Sequence, residues 1–335
     1  MCMEFIAHIR NTIVVVLFLA ITLCYGREPF KPTEGSVPFL VYFASRYRGV
    51  CVGTLLSRSL VITAAVCVTN PTTEMHDYRS ITIVTGSSYR HPRRGIKVQV
   101  SKIVLPRINE TYEIGYFVEK SPAFLILYRK VPDILTEIPP RGIKIDYKGE
   151  IPLSLHEECL IPGWHFFYKN DKIFSGNKFL LQRNLRAQYV DISKRSVWCE
   201  TLSLKFQQAI VNLGYTGYFD KNACICVRDT ERIAQPCHGM YGAPLICQGK
   251  VVGLMMAPDA QWSNCTGFTN MIHSVSAEHL WGFMNCVSRL FDPEFNLSWE
   301  DLKNSLNEDM YGNEYDFIPA VYDKVVGSSS TSEEN

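Results

Sequence analysis

The chain has 335 residues, a 47% hydrophobic content and a net charge of +1. This excludes wholesale disorder, allows one large core or two ordinary ones, and gives no ground for a nucleic-acid partner. The small net charge is unevenly spread: after Val287 there are eleven acidic residues against Arg289, Lys303 and Lys324, an acidic tail on a basic body.

In chain order, residues 12–23 (TIVVVLFLAITL) form an apolar run after Arg10 and before Cys24, Tyr25 and Gly26. The run is short of the roughly 20 residues a spanning helix needs, so 1–26 reads as a removable secretory signal with no membrane span in the mature chain. Of twelve cysteines, ten remain after Cys2 and Cys24 are set aside. An even number in a secreted, extracellular chain favours disulfides over metal sites. Asn109-Glu110-Thr111 and Asn296-Leu297-Ser298 are glycosylation acceptors of the same compartment.

Residues 35–43 begin a strand-like stretch rich in β-branched and aromatic residues. Residues 81–104 read as strand, loop, strand, and the loop and its surroundings carry Arg90, His91, Arg93, Arg94, Lys97 and Lys102. That cluster is either a polyanion or acidic-partner site or a solvated loop with scattered charge. A polar, Pro-rich connection around residues 139–149 precedes the second half, where 185–192 alternate as a strand. Residues 274–287 place Leu280, Trp281, Phe283 and Met284 at helical spacing, the pattern of a core-packing face. Beyond them, Ser298-Trp299-Glu300-Asp301 offers a helix cap, while the remaining acidic stretches read as largely disordered. No Gly-rich phosphate loop or metal-ligand spacing appears, so neither cofactor nor metal is expected.

The most informative stretch is Cys237-His238-Gly239-Met240-Tyr241-Gly242-Ala243-Pro244-Leu245-Ile246-Cys247. It resembles the active-site loop of trypsin-like and chymotrypsin-like serine proteases, where a cysteine, any residue and Gly-Asp-Ser-Gly-Gly-Pro lead into an apolar strand. Cys51-Val52-Gly53-Thr54-Leu55-Leu56 and Thr63-Ala64-Ala65-Val66-Cys67 resemble two further segments of that family, the second ending in its Thr-Ala-Ala-His-Cys. Residues 121–128 resemble its Asn-Asp-Ile-Ala-Leu-Leu strand, and Cys159 to Trp164 its Cys-x-x-x-Gly-Trp turn. The resemblance covers about residues 35–286 and implies an all-β fold: two six-stranded antiparallel β-barrels with a C-terminal helix. The expected division is signal 1–26, protease-like domain 27–286 and disordered acidic tail 287–335.

The same alignment places the catalytic positions on residues without the chemistry. The nucleophile becomes Tyr241 and the general base Val66, which has no proton-accepting atom. The triad aspartate becomes Pro122, or Ala123 if the register slips by one. The aspartate that receives the freed amino terminus in an active member becomes Met240, and Gly26-Arg27-Glu28-Pro29 offers no activation sequence. The pocket positions fall on Gln235, Gly239, Met256, Ala257 and Pro258, and Pro258 cannot donate an N–H to a bound peptide. The resemblance implies bridges Cys51 to Cys67, Cys159 to Cys247, Cys199 to Cys226 and Cys237 to Cys265. Cys224 and Cys286 are left to pair with each other, with a swap of Cys224 for Cys226 open.

The function expected from these residues is that of an inactive serine protease homologue, not an enzyme. It is expected to bind an extracellular protein, an active protease or its substrate, as cofactor, decoy or adaptor. The rival readings are residual serine-type hydrolysis and polyanion binding through Arg90, Arg93, Arg94 and Lys97, unless the acidic tail covers that loop. Tyr241 is a poor nucleophile with its phenol protonated below about pH 10.

Overall fold

The computed structural model describes residues 29–33, 36–44, 51–68, 81–90, 94–106, 122–133, 138–153, 159–168, 184–193, 197–212, 223–229, 233–236, 239–258, 269–290 and 320–323.

Barrel 1 begins with three short strands, β1 (Leu40–Phe43), β2 (Val52–Leu55) and β3 (Leu60–Thr63), buried along their whole length. Their continuous burial has a reason visible in β3. Val61 faces the main core, whereas Leu60 and Ile62 belong to a second apolar cluster, so both faces of the strand are covered. β4 (Thr82–Thr85) and β5 (Ile96–Leu105) follow. The first half of β5 alternates, Ile96, Val98 and Val100 inward and Lys97 and Gln99 outward. A bulge between Val100 and Lys102 then bends it toward β6 (Ala123–Leu127), whose pairing with both β3 and β5 closes the ring.

The second half supplies β7 (Lys144–Ile145), β8 (Cys159–Gly163), β9 (Phe166–Tyr168) and β10 (Arg186–Ser193), then helix α1 (Val197–Asn212). β11 (Cys224–Arg228), β12 (Ala234–Pro236), β13 (Pro244–Cys247), β14 (Lys250–Pro258) and β15 (Thr269–Ser274) complete it. Six of these strands close barrel 2 in the order β13, β8, β10, β11, β15, β14, with β14 returning to β13. The expected all-β architecture of two six-stranded antiparallel barrels is therefore present.

Helix α2 (Trp281–Leu290) continues past residue 286, where the domain was expected to end. Leu280, Phe283, Met284 and Val287 are buried against Leu60, Ile62, Val104 and Phe124 of barrel 1 and Val251 and Leu254 of barrel 2. The rings of Phe124 and Phe283 lie 5.5 Å apart. Trp281 departs from the expected core face: it is 54% exposed, because residue 281 sits about 100° around the helix from 280 and away from the 280, 283, 284, 287 stripe.

Two stretches hold structure where little was expected. The connection around 139–149 contributes β7, parallel to β14, and the Asp146 carboxylate accepts the N–H groups of Glu150 and Ile151 at 3.0 Å each. Within the tail read as disordered, β16 (Ala320–Asp323) pairs antiparallel with β5, correcting that reading for these four residues. Residues 291–319 and 324–335 of the tail, the signal at 1–26 and the acceptors Asn109 and Asn296 lie outside the described residues.

Candidate functional site

The motif segments meet at the seam between the barrels. Cys51 is joined to Cys67, with Cα atoms 5.9 Å apart, which anchors the turn Ala65–Cys67 beside β2. Thr63 Oγ1 donates to Val52 O at 2.8 Å, and Thr63 pairs with Ala123, so the start of β6 lies against the end of β3. Pro122 and Ala123 are both buried there. Val66 occupies the turn; its side chain lies outside the described set.

The loop from barrel 2 crosses to this point as backbone. Val52 N–H donates to Tyr241 O at 2.8 Å, and Cys51 bridges Tyr241. Gly242 N–H donates to Met255 O at 2.8 Å, tying the same loop back to β14. Gly242 has φ +77°, and a Cβ there would collide with Thr63 Oγ1 and Val52 O. Only glycine combines that left-handed backbone with so close an approach.

The two side chains at the centre of the motif fill space. Met240 is fully buried, its Sδ accepting the His165 N–H at 3.4 Å. Its Sδ and Cε lie over Gly163, where a Cβ would overlap them. Tyr241 is half-buried, packed against the main core, and burial pushes its phenol up to about 12. Such a phenol stays protonated and is not activated as a nucleophile.

Of the pocket positions, Gln235 lies in β12 and is 1% exposed. Beside it the Gln188 amide donates to Ala234 O at 2.9 Å. The Asp229 carboxylate fixes the entry to β12 by accepting Ile233 N–H at 2.7 Å and Ala234 N–H at 2.9 Å. Met256, Ala257 and Pro258 form the end of β14: Ala257 pairs with Met271 and Pro258 with Asn270, and a bulge separates Met255 from Ala257. Their side chains lie outside the described set, and Gly239 takes φ +95° just before Met240.

Disulfides join Cys159 to Cys247 and Cys199 to Cys226, besides Cys51 to Cys67. Cys226, not Cys224, is thus the partner of Cys199. Cys224 is buried in β11; the side chain of Cys286 and the pair Cys237 and Cys265 lie outside the described residues.

The basic cluster is built on aromatic rings. The Arg90 guanidinium lies 5.7 Å from the Tyr42 ring centre, and Tyr42 meets Trp164 edge to face at 5.3 Å. Burial pulls Arg90 down to about 10, and its Nε is buried with no hydrogen-bond partner among the described residues. Arg94 stacks on Tyr89 at 5.0 Å, with Lys97 exposed on β5. Arg93 lies outside the described residues. Among the described residues no cluster of three metal-ligating side chains occurs, and no helix is long and apolar enough to cross a membrane.

Compared with known proteins, the Trypsin family model matches residues 28–126, the stretch that builds barrel 1. Human kallikrein-7 is 22% identical over 234 residues, 66% of this chain and 72% of its own. A scabies mite inactivated protease paralogue of known structure superposes with a TM-score of 0.56 at 19% identity, covering 78% of this chain and 96% of its own. A mutant of human heparin binding protein superposes with a TM-score of 0.55 at 16% identity, covering 79% and 98%.

Proposed function

The chain has a trypsin-like fold, and we propose that it is a secreted, non-catalytic serine protease homologue that acts by binding an extracellular protein, an active protease or its substrate. The observation that carries this reading is the filled seam. Met240 lies buried over Gly163, and a half-buried, protonated Tyr241 holds the nucleophile's position. A serine protease needs an imidazole to deprotonate its hydroxyl and a carboxylate to orient that imidazole. The matching residues here are Val66 and Pro122 or Ala123. The similarity to an inactivated protease paralogue supports the same reading. Restoring the hydroxyl alone tests it: Tyr241→Ser is expected to take no label from a fluorophosphonate, and labelling above the unaltered chain would overturn the assignment.

A second reading, polyanion binding, is favoured by one observation: Arg90 and Arg94 stack on Tyr42 and Tyr89 beside exposed Lys97. A structural relative is a heparin binding protein. Retention on heparin that falls steeply with salt is expected, and elution unchanged by Arg93→Ala with Arg94→Ala rejects it.

A further inference from the structure

The strands of barrel 1 do not cover β5 evenly. β4 pairs with it from Ile96 to Gln99, and β6 pairs with it from Val100 to Val104. A strand has two edges, and in a closed barrel β4 and β6 hold opposite ones. Residues 102–105 therefore overhang β4, and on that edge their only strand neighbour among the described residues is β16. The register runs from Ala320 opposite Leu105 to Asp323 opposite Lys102.

β16 contributes nothing to closing the barrel, because β5 already pairs with β6. It is the outermost strand of its sheet and four residues long. The 29 residues 291–319 separate it from α2. Because β16 belongs to the same chain, its pairing with β5 is intramolecular, and a separate strand must compete with it. An exposed edge is a template for any extended chain. The charge on this edge is positive: the register sets Lys102 opposite Asp323, while Arg94 and Lys97 lie farther back along the chain. The chain's own occupant matches it. Residues 314–323, EYDFIPAVYD, combine three carboxylates with strand-forming Val321 and Tyr322.

We propose that the edge of β5 at residues 102–105 is a strand-docking site for an extended, acidic segment of a partner protein, and that residues 320–323 occupy it as the chain's own competitor. The use of the edge in recognition rests on the binding function proposed above; its capacity to accept a strand rests on the backbone pairing alone.

The test uses a fluorescent peptide of residues 314–325 and anisotropy titration against three full-length proteins. These are the unaltered chain, the double variant Val321→Pro with Tyr322→Pro, and a variant with residues 320–323 all changed to glycine. Adjacent residues of a strand direct their N–H groups to opposite edges, so the proline pair removes one aimed at β5 whichever it is. The peptide is expected to bind both variants and to bind the unaltered chain at least tenfold more weakly. A scrambled peptide of equal charge is expected to bind none. Absence of binding to both variants, when their near-ultraviolet circular dichroism is native, overturns the proposal. Equal binding to all three proteins, or equal binding of the scrambled peptide, overturns it too, since the first places the peptide away from the β16 position and the second reduces it to charge. None of these outcomes depends on hydrolysis, so the edge fails or stands separately from the non-catalytic reading.

Discussion

At the seam between the barrels, buried Met240 lies over Gly163 and Tyr241 packs on the core beside the Cys51 to Cys67 bridge. Along β5 the same barrel instead exposes Lys97, with Arg94 just before it, and four residues of the tail cover an edge the barrel does not need for closure. A hydrolytic centre needs a polar void holding an activated hydroxyl, whereas a docking surface needs accessible charge and backbone that can be offered to a partner. The contrast teaches how differently one barrel packs its two sides: buried apolar side chains at the seam, and accessible charge on the outer face of β5.

The contrast is sharpest under large-to-small substitution. Phe283→Ala removes the ring that packs on Phe124 between the barrels and is expected to lower unfolding free energy by about 3–5 kcal/mol in urea titration. A loss below about 1 kcal/mol would mean that α2 is not part of the joint. Met240→Ala is expected to cost about 2–5 kcal/mol, since it empties the space over Gly163. If stability is unchanged, the seam is looser than described and the comparison breaks.

Alkaline titration separates the regions more gently. The Tyr241 phenol is pushed up to about 12 in the folded chain, against about 10 for an ordinary tyrosine. Its raised value adds stability that is complete below about pH 10 and disappears as pH rises toward about 12. Tyr241→Phe is expected to flatten that part of the melting-temperature profile, and an identical slope in both proteins would place the phenol in water. The smallest effect belongs outside the joint: Trp281→Ala, on the exposed side of α2, is expected to change stability by no more than about 0.5 kcal/mol. A larger loss would extend the apolar joint to that face.

The fold was legible because its signals are local and paired. Cys51, Cys67, Cys159 and Cys247 flank recognisable strands, and Gly242 marks a backbone crossing that only glycine permits. The packing of the seam was legible only in part: the residue types at 66, 240 and 241 could be read from the sequence, but not that Met240 reaches over Gly163. Helix α1 was not anticipated. It buries Cys199, Leu202 and Ser203 while leaving Val197 and Leu204 exposed, so apolar residues fall on both faces and the helical period is blurred. Strand β16 was missed for a different reason. Four residues in an acidic tail carry too little pattern, and their structure comes from pairing with residues more than 200 positions away.

The measurement that bears most directly on the central claim is turnover of a broad panel of fluorogenic peptide amides by the purified chain, before and after limited proteolysis at its amino-terminal end, with Tyr241→Phe as the control. No turnover above that control is the result the non-catalytic reading predicts. Turnover that persists through purification and vanishes in Tyr241→Phe would show a working centre at the seam and contradict the account.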